Sequence, residues 1–144
     1  RVITLDQDAC WTDCCERQAY KIGLTNLEVR HAPLANRNGA TWYASNALDK
    51  IREGSVDLLV VDGPYSGSSN GRGREPALRY FRELLSPCAT VYMDDTVRAG
   101  ERGIAEDWAQ AMKTHHIVHR KSLSGCSLIE PIGIKLAHAP VLSQ

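Results

Sequence analysis

The chain has 144 residues, and its 17 basic and 17 acidic side chains leave no formal net charge. That balance excludes the broad electropositive footprint of a nucleic-acid binder, and no apolar run approaches the roughly 18–20 residues that cross a bilayer. The length suits one domain able to bury a sizeable core. No secretory leader is visible, and the five cysteines read as reduced thiols acting as small hydrophobes, which together point to the cytoplasm. Zinc is not expected: Cys10 and Cys14 lack a matching second pair, and His116 and His119 face opposite sides of a strand-like segment.

In chain order, Val2–Leu5 reads as a short strand ending at Asp6-Gln7-Asp8. Asp8 is placed to cap a helix running to about Ile22, with Trp11, Cys14, Cys15, Ala19 and Ile22 at helical spacing. Gly23 then supplies a helix-ending residue. Leu27–Arg30 alternates as a second strand and runs into His31-Ala32-Pro33-Leu34. Asn36–Gly39 is a turn signal, after which Ala40–Ala44 forms a short return strand and Ala47–Arg52 a brief helix.

Val56–Val61 is an apolar run broken only by Asp57 and closed by Asp62-Gly63-Pro64. Such a run reads as a strand buried on both faces, as in a helix-covered parallel sheet. Ser66–Arg74 is rich in Gly and Ser and reads either as a lid or as a plain solvated loop, with Arg72 and Arg74 in solvent. It carries neither a dinucleotide fingerprint nor a P-loop. Pro76 opens a helix with Leu78, Phe81, Leu84 and Leu85 on one face, stopped at Ser86-Pro87. The strand Ala89–Met93 ends in Asp94-Asp95, and Glu101–Met112 is the next helix. Ile117–Lys121 and Cys126–Glu130 close the chain as an antiparallel hairpin around Ser124-Gly125. The alternation predicts an open α/β, Rossmann-like sheet, mostly parallel, with that hairpin at one edge. Trp42, Tyr43 and Trp108 are expected in the core.

Ligands of open α/β sheets sit beyond the carboxyl ends of the strands, and three strand ends here deliver acids: Asp6, Asp62 and the Asp94-Asp95 pair. Each has a plainer reading as well. Asp6 suits a helix cap, Asp62 a turn ahead of Gly63-Pro64, and Asp94-Asp95 a capped turn paired with Arg98.

The order and spacing of these elements resemble the class I S-adenosylmethionine-dependent methyltransferases, from their second strand to their last. The likeness is to small-molecule, catechol-type members, carried by DLLVVDGP at Asp57–Pro64 and YMDD at Tyr92–Asp95, followed by Arg98, Glu101 and Trp108. The resemblance implies S-adenosylmethionine as cofactor, held by Asp6 through its ribose hydroxyls with Gln7 beside it. Ala32, Pro33 and Leu34 would lie near the adenine, and Asp62 near the reacting methionine portion. It further implies a divalent ion, Mg²⁺, Ca²⁺ or Mn²⁺, on Asp62, Asp94 and Asp95, with Asp95 where such enzymes commonly carry Asn. Asp62, or an oxygen on that metal, is the general-base candidate for a small-molecule acceptor. The family's first strand and glycine-rich loop have no counterpart here and are expected upstream of Arg1, so the chain alone should have a gap in mid-sheet. Two other readings stand beside the methyltransferase. One is a non-catalytic structural or binding module, as a homodimer covering its exposed sheet. The other is a metal-dependent hydrolase using the three aspartates.

Overall fold

The computed structural model describes residues 1–37, 39–64 and 71–133. The first strands, β1 (Val2–Asp6) and β2 (Leu27–His31), run parallel, with Val2 opposite Leu27 and Asp6 opposite His31. Helix α1 (Ala9–Lys21) crosses between them. It begins where the Asp8 carboxylate accepts hydrogen bonds from the amides of Cys10 at 2.7 Å and Trp11 at 3.2 Å. It ends at Gly23, whose left-handed φ of +70° suits glycine.

An antiparallel hairpin follows, β3 (Leu34–Arg37) with β4 (Ala40–Tyr43). The helix expected over 47–52 is instead a 3₁₀ turn, Ser45–Leu48. Then come β5 (Val56–Val61), α2 (Pro76–Phe81), β6 (Leu85–Asp94), α3 (Ala99–Ala111), β7 (His115–Arg120) and β8 (Cys126–Pro131). The last four strands form one sheet in the order β5-β6-β8-β7. Within it β5 and β6 are parallel, while β8 runs antiparallel to both β6 and β7.

This is the expected α/β architecture, with parallel pairs and a C-terminal antiparallel hairpin. The expected gap is also present: among the described residues β1 pairs only with β2, and β5 only with β6. The β1–β2 unit is attached by other contacts. Arg30 donates to the carbonyls of Ala47 at 2.6 Å and Asp49 at 2.9 Å, and Ala32 and Leu5 join the main core.

That core lies on one face of the four-stranded sheet. Leu59, Val61, Val91, Met93 and Ile129 meet Ala77, Leu78 and Phe81 of α2, Ile104, Ala105 and Trp108 of α3, and Trp42 and Tyr43 of β4. Each large apolar side chain so buried contributes about 1.5–3 kcal/mol. Trp42, Tyr43 and Trp108 are therefore core residues, as expected, with Trp42 stacked on Tyr80 at 6.1 Å between ring centroids.

Several expectations give way. Val56–Val61 is buried on one face only, since Leu58 and Val60 remain 58% and 57% exposed. Those residues alternate away from the core and, with Thr90, Tyr92 and Leu128, line a shallow hollow on the uncovered side. On α1, Trp11 and Ile22 are exposed, and so are Cys10 and Cys15, as is Cys88. These thiols are not core hydrophobes. The helix opened by Pro76 stops at Phe81, because Leu85 is drawn into the ladder opposite Val56. Residues 65–70, most of the expected lid, lie outside the described residues.

Candidate active site

The acidic strand ends gather at one end of the fold. Asp6 closes β1, and its Oδ1 accepts from the Asp8 amide at 2.7 Å. The side-chain cap on α1 is Asp8, and Asp6 instead holds the amide of that capping residue. The Asp6 carbonyl takes the Ala32 amide at 2.7 Å, and the Pro33 carbonyl takes the Ala44 amide at 3.0 Å. His31 Nε2 lies 3.1 Å from the Gln7 carbonyl. Asp6, Gln7, Ala32, Pro33 and Leu34 thus share the ends of β1 and β2, with Ala32 fully buried and Leu34 exposed.

Tyr43 connects this group to Asp62. Burial first, then the nearby Asp6 and Asp62 carboxylates, push the Tyr43 hydroxyl up to about 12, with Arg74 opposing. A neutral phenol therefore stands in the field of both acids. Its Oη lies so close to Gly63 that a Cβ there would come within 2.6 Å. Gly63 is required by this approach, in a turn with a cis Gly63–Pro64 bond.

Asp62 itself is largely exposed, with one oxygen 3.3 Å from Arg74 Nη2. The same nitrogen lies 3.0 Å from Asp95 Oδ2, which also pairs with Arg98 at 2.9 Å. Arg74 Nη1 donates to the Asp94 carbonyl at 3.1 Å. Asp94 turns its carboxylate elsewhere, to the Tyr92 and Ser124 hydroxyls, both at 3.4 Å. Tyr92 is pushed up to about 12, by its hydrogen bond to Cys126 first and then by burial and Asp94. Gly125 fixes the turn beyond Asp95: its carbonyl takes the Thr96 amide at 3.1 Å, and a Cβ there would lie 2.7 Å from the Val97 nitrogen.

Arg74 was expected in solvent, and it is the residue the sequence reading missed. It is 4% exposed. No local signal marks it, because its partners, at the ends of β5 and β6, are distant in sequence. The nearest clue was the crowding of Asp62, Asp94 and Asp95, which calls for a cation. The divalent ion expected on those three residues does not fit. Among the described residues no group of three His, Cys, Asp or Glu side chains is placed to hold a metal. A guanidinium stands between Asp62 and Asp95, and the Asp94 carboxylate faces Tyr92 and Ser124.

A second polar chain has the look of a hydrolytic triad. His119 Nδ1 lies 2.7 Å from Ser127 Oγ, and Glu106 lies 3.6 Å from His119 Nε2. Ser127 is 0% exposed and donates to Thr96 Oγ1 at 3.1 Å. A nucleophile needs access to its substrate, so this chain has a structural role.

No protein-family model matches the chain, and no curated protein sequence matches it. Solved structures do. A methyltransferase from Geobacter sulfurreducens superposes with a TM-score of 0.58 at 15% identity, over 91% of this chain and 58% of its own. A Corynebacterium glutamicum protein gives 0.62 at 9% identity, over 94% and 62%. A Podospora anserina methyltransferase with SAH (S-adenosylhomocysteine) bound gives 0.58 at 17% identity, over 91% and 60%. The chain therefore has the fold of these structures and spans about three-fifths of their length. No helix among the described residues is long and apolar enough to cross a membrane.

Proposed function

We propose that this chain carries the cofactor and acceptor residues of an S-adenosylmethionine-dependent methyltransferase acting on a small molecule. The observation that supports this most is the placing of Asp6 and Asp62 at the ends of two parallel strand units, both near enough to act on the Tyr43 hydroxyl. Among the described residues, Asp6, Asp62, Asp94 and Asp95 stand at these strand ends, where Arg74 pairs with Asp62 and Asp95, and Arg98 with Asp95. A negative cleft favours a positively charged ligand, and the sulfonium of S-adenosylmethionine is one.

The Asp6 carboxylate suits two ribose hydroxyls, each bond strengthened by the carboxylate charge. Gln7 flanks it, and Ala32, Pro33 and Leu34 offer an apolar wall for the adenine. When bound, S-adenosylmethionine supplies an electrophilic methyl carbon on a positive sulfur. Asp6 would hold the ribose and Asp62 would stand beside the acceptor, so that the cofactor's methyl group would be supplied to the acceptor and S-adenosylhomocysteine would leave. Asp62, with one oxygen on Arg74 and its side chain largely exposed, is the residue placed to take the proton the acceptor loses. Alignment of donor and acceptor is the larger contribution, because the methyl group is already activated.

Isothermal titration of the full-length protein with S-adenosylhomocysteine tests this reading. Asp6→Ala should weaken binding by about 1.5–3 kcal/mol, as for a lost charge-assisted hydrogen bond. Equal affinity in wild type and Asp6→Ala would remove Asp6 from the cofactor site.

A further inference from the structure

At the ends of β5 and β6, Arg74 is a cation taken almost wholly out of water. Its guanidinium reaches Asp62 Oδ1 at 3.3 Å, Asp95 Oδ2 at 3.0 Å and the Asp94 carbonyl at 3.1 Å. Its Nε is fully buried and has no hydrogen-bond partner among the described residues. Burying a guanidinium is costly, and filling the same space with an apolar side chain would usually serve stability as well or better. Packing alone therefore gives no reason for an arginine here. Electrostatics does, since acids that converge without a cation repel one another.

We propose that Arg74 is the resident cation of this site, a protein-borne counter-ion that fixes Asp62 and Asp95 and leaves the cluster no seat for a divalent metal. A divalent ion would need several oxygens turned inward together: about six to eight for Ca²⁺, and near-octahedral geometry for Mg²⁺. Here two carboxylates turn to the guanidinium and the third turns to Tyr92 and Ser124. A guanidinium also differs from an ion in kind. It is planar, holds its donors at fixed angles and cannot dissociate.

The segment that delivers it is itself seated by contact. Gly71 and Gly100 approach so closely that a Cβ on Gly100 would fall 2.2 Å from the Gly71 carbonyl oxygen. The consequence is an Asp62 with one oxygen tethered to a buried guanidinium while the rest of its side chain stays exposed. Arg74 is thus a positioning residue. The proposal stands on this geometry whether or not the site transfers methyl groups.

Terbium(III) luminescence, sensitised through Tyr92 beside Asp94, reads ion binding directly and needs no activity. Wild type is expected to show no terbium site that depends on Asp62. Arg74→Met keeps the length and apolar stem but removes the charge, and should gain terbium affinity roughly tenfold or more. That gain should disappear when Asp62→Asn is added. A purely structural arginine would not create an ion site on removal. Wild-type emission that saturates and is abolished by Asp62→Asn would overturn the proposal, as would a folded Arg74→Met with no gain. Should Arg74→Met fail to fold, Arg74→Lys is read in its place. Lysine keeps the charge but cannot bridge both acids, so a smaller gain supports the proposal and unchanged affinity overturns it.

Discussion

Gly100, in the first turn of α3, puts two ordinary effects in opposition. In a helix, Gly→Ala is stabilising by up to about 1 kcal/mol, because alanine gives up less backbone freedom. At Gly100, however, the added Cβ would lie 2.2 Å from the Gly71 oxygen, 2.7 Å from its carbonyl carbon and 2.8 Å from its Cα. All three atoms are backbone, so no rotamer change relieves the contact. Overpacking of this kind costs about 1–3 kcal/mol, and contacts this short place Gly100→Ala at the upper end. The steric term wins, for a net loss of about 1–2 kcal/mol. Gly103, three residues on in the same helix, supplies the control. Its Cβ would meet only the Arg72 guanidinium, at 3.4 Å and so in ordinary contact, and Gly103→Ala should gain up to about 1 kcal/mol. Urea unfolding followed by circular dichroism reads both, with the midpoint falling for Gly100→Ala, rising for Gly103→Ala, and the slope unchanged. Equal stabilisation by the two substitutions would show that residues 71–74 do not rest against α3, and the seating of Arg74 would fall with them.

Tyr43 offers a pH test. Its folded value of about 12 lies above its ordinary value of 10, so the fold favours the neutral phenol. That contribution is whole below pH 10 and is lost as the pH climbs to 12. It amounts to about 2–3 kcal/mol. Tyr43→Phe should therefore lose less stability than wild type across that window, and parallel stability curves would refute the buried placement. Asp8→Ala should cost about 1 kcal/mol through loss of the α1 cap. An unchanged thermal midpoint would mean that the Cys10 and Trp11 amides find other partners.

What the sequence shows plainly is what short-range chemistry decides. Asp8 and Gly23 bracket α1 because capping needs only near neighbours. The apolar runs of β5 and β6 end at acids because the strand period and the Gly63-Pro64 turn are local too. Two-face burial of β5 was not decidable in the same way. Leu58 and Val60 are as apolar as Leu59 and Val61, and only the absence of a covering element, among the described residues, distinguishes the two faces. The end of α2 shows the same limit: Leu84 and Leu85 continue its helical spacing, yet the ladder with Val56 claims Leu85. Arg74 was the largest gap, since a charged residue in a Gly-rich stretch reads as solvated until the ends of β5 and β6 are brought around it. The three aspartates do stand at strand ends, but Asp62 and Asp95 meet the Arg74 guanidinium while the Asp94 carboxylate meets Tyr92 and Ser124.

The central claim is that a cofactor of the S-adenosyl type is held between the ends of β1 and β5. Two-dimensional ¹⁵N–¹H NMR of the full-length protein, titrated with S-adenosylhomocysteine, tests it most directly. The account predicts saturable shifts at the amides of Asp6, Gln7, Ala32, Leu34, Asp62 and Gly63, with those of β7 unmoved. Shifts confined to Leu58, Tyr92 and Leu128 on the uncovered sheet face, or no shifts at saturating ligand, would contradict it.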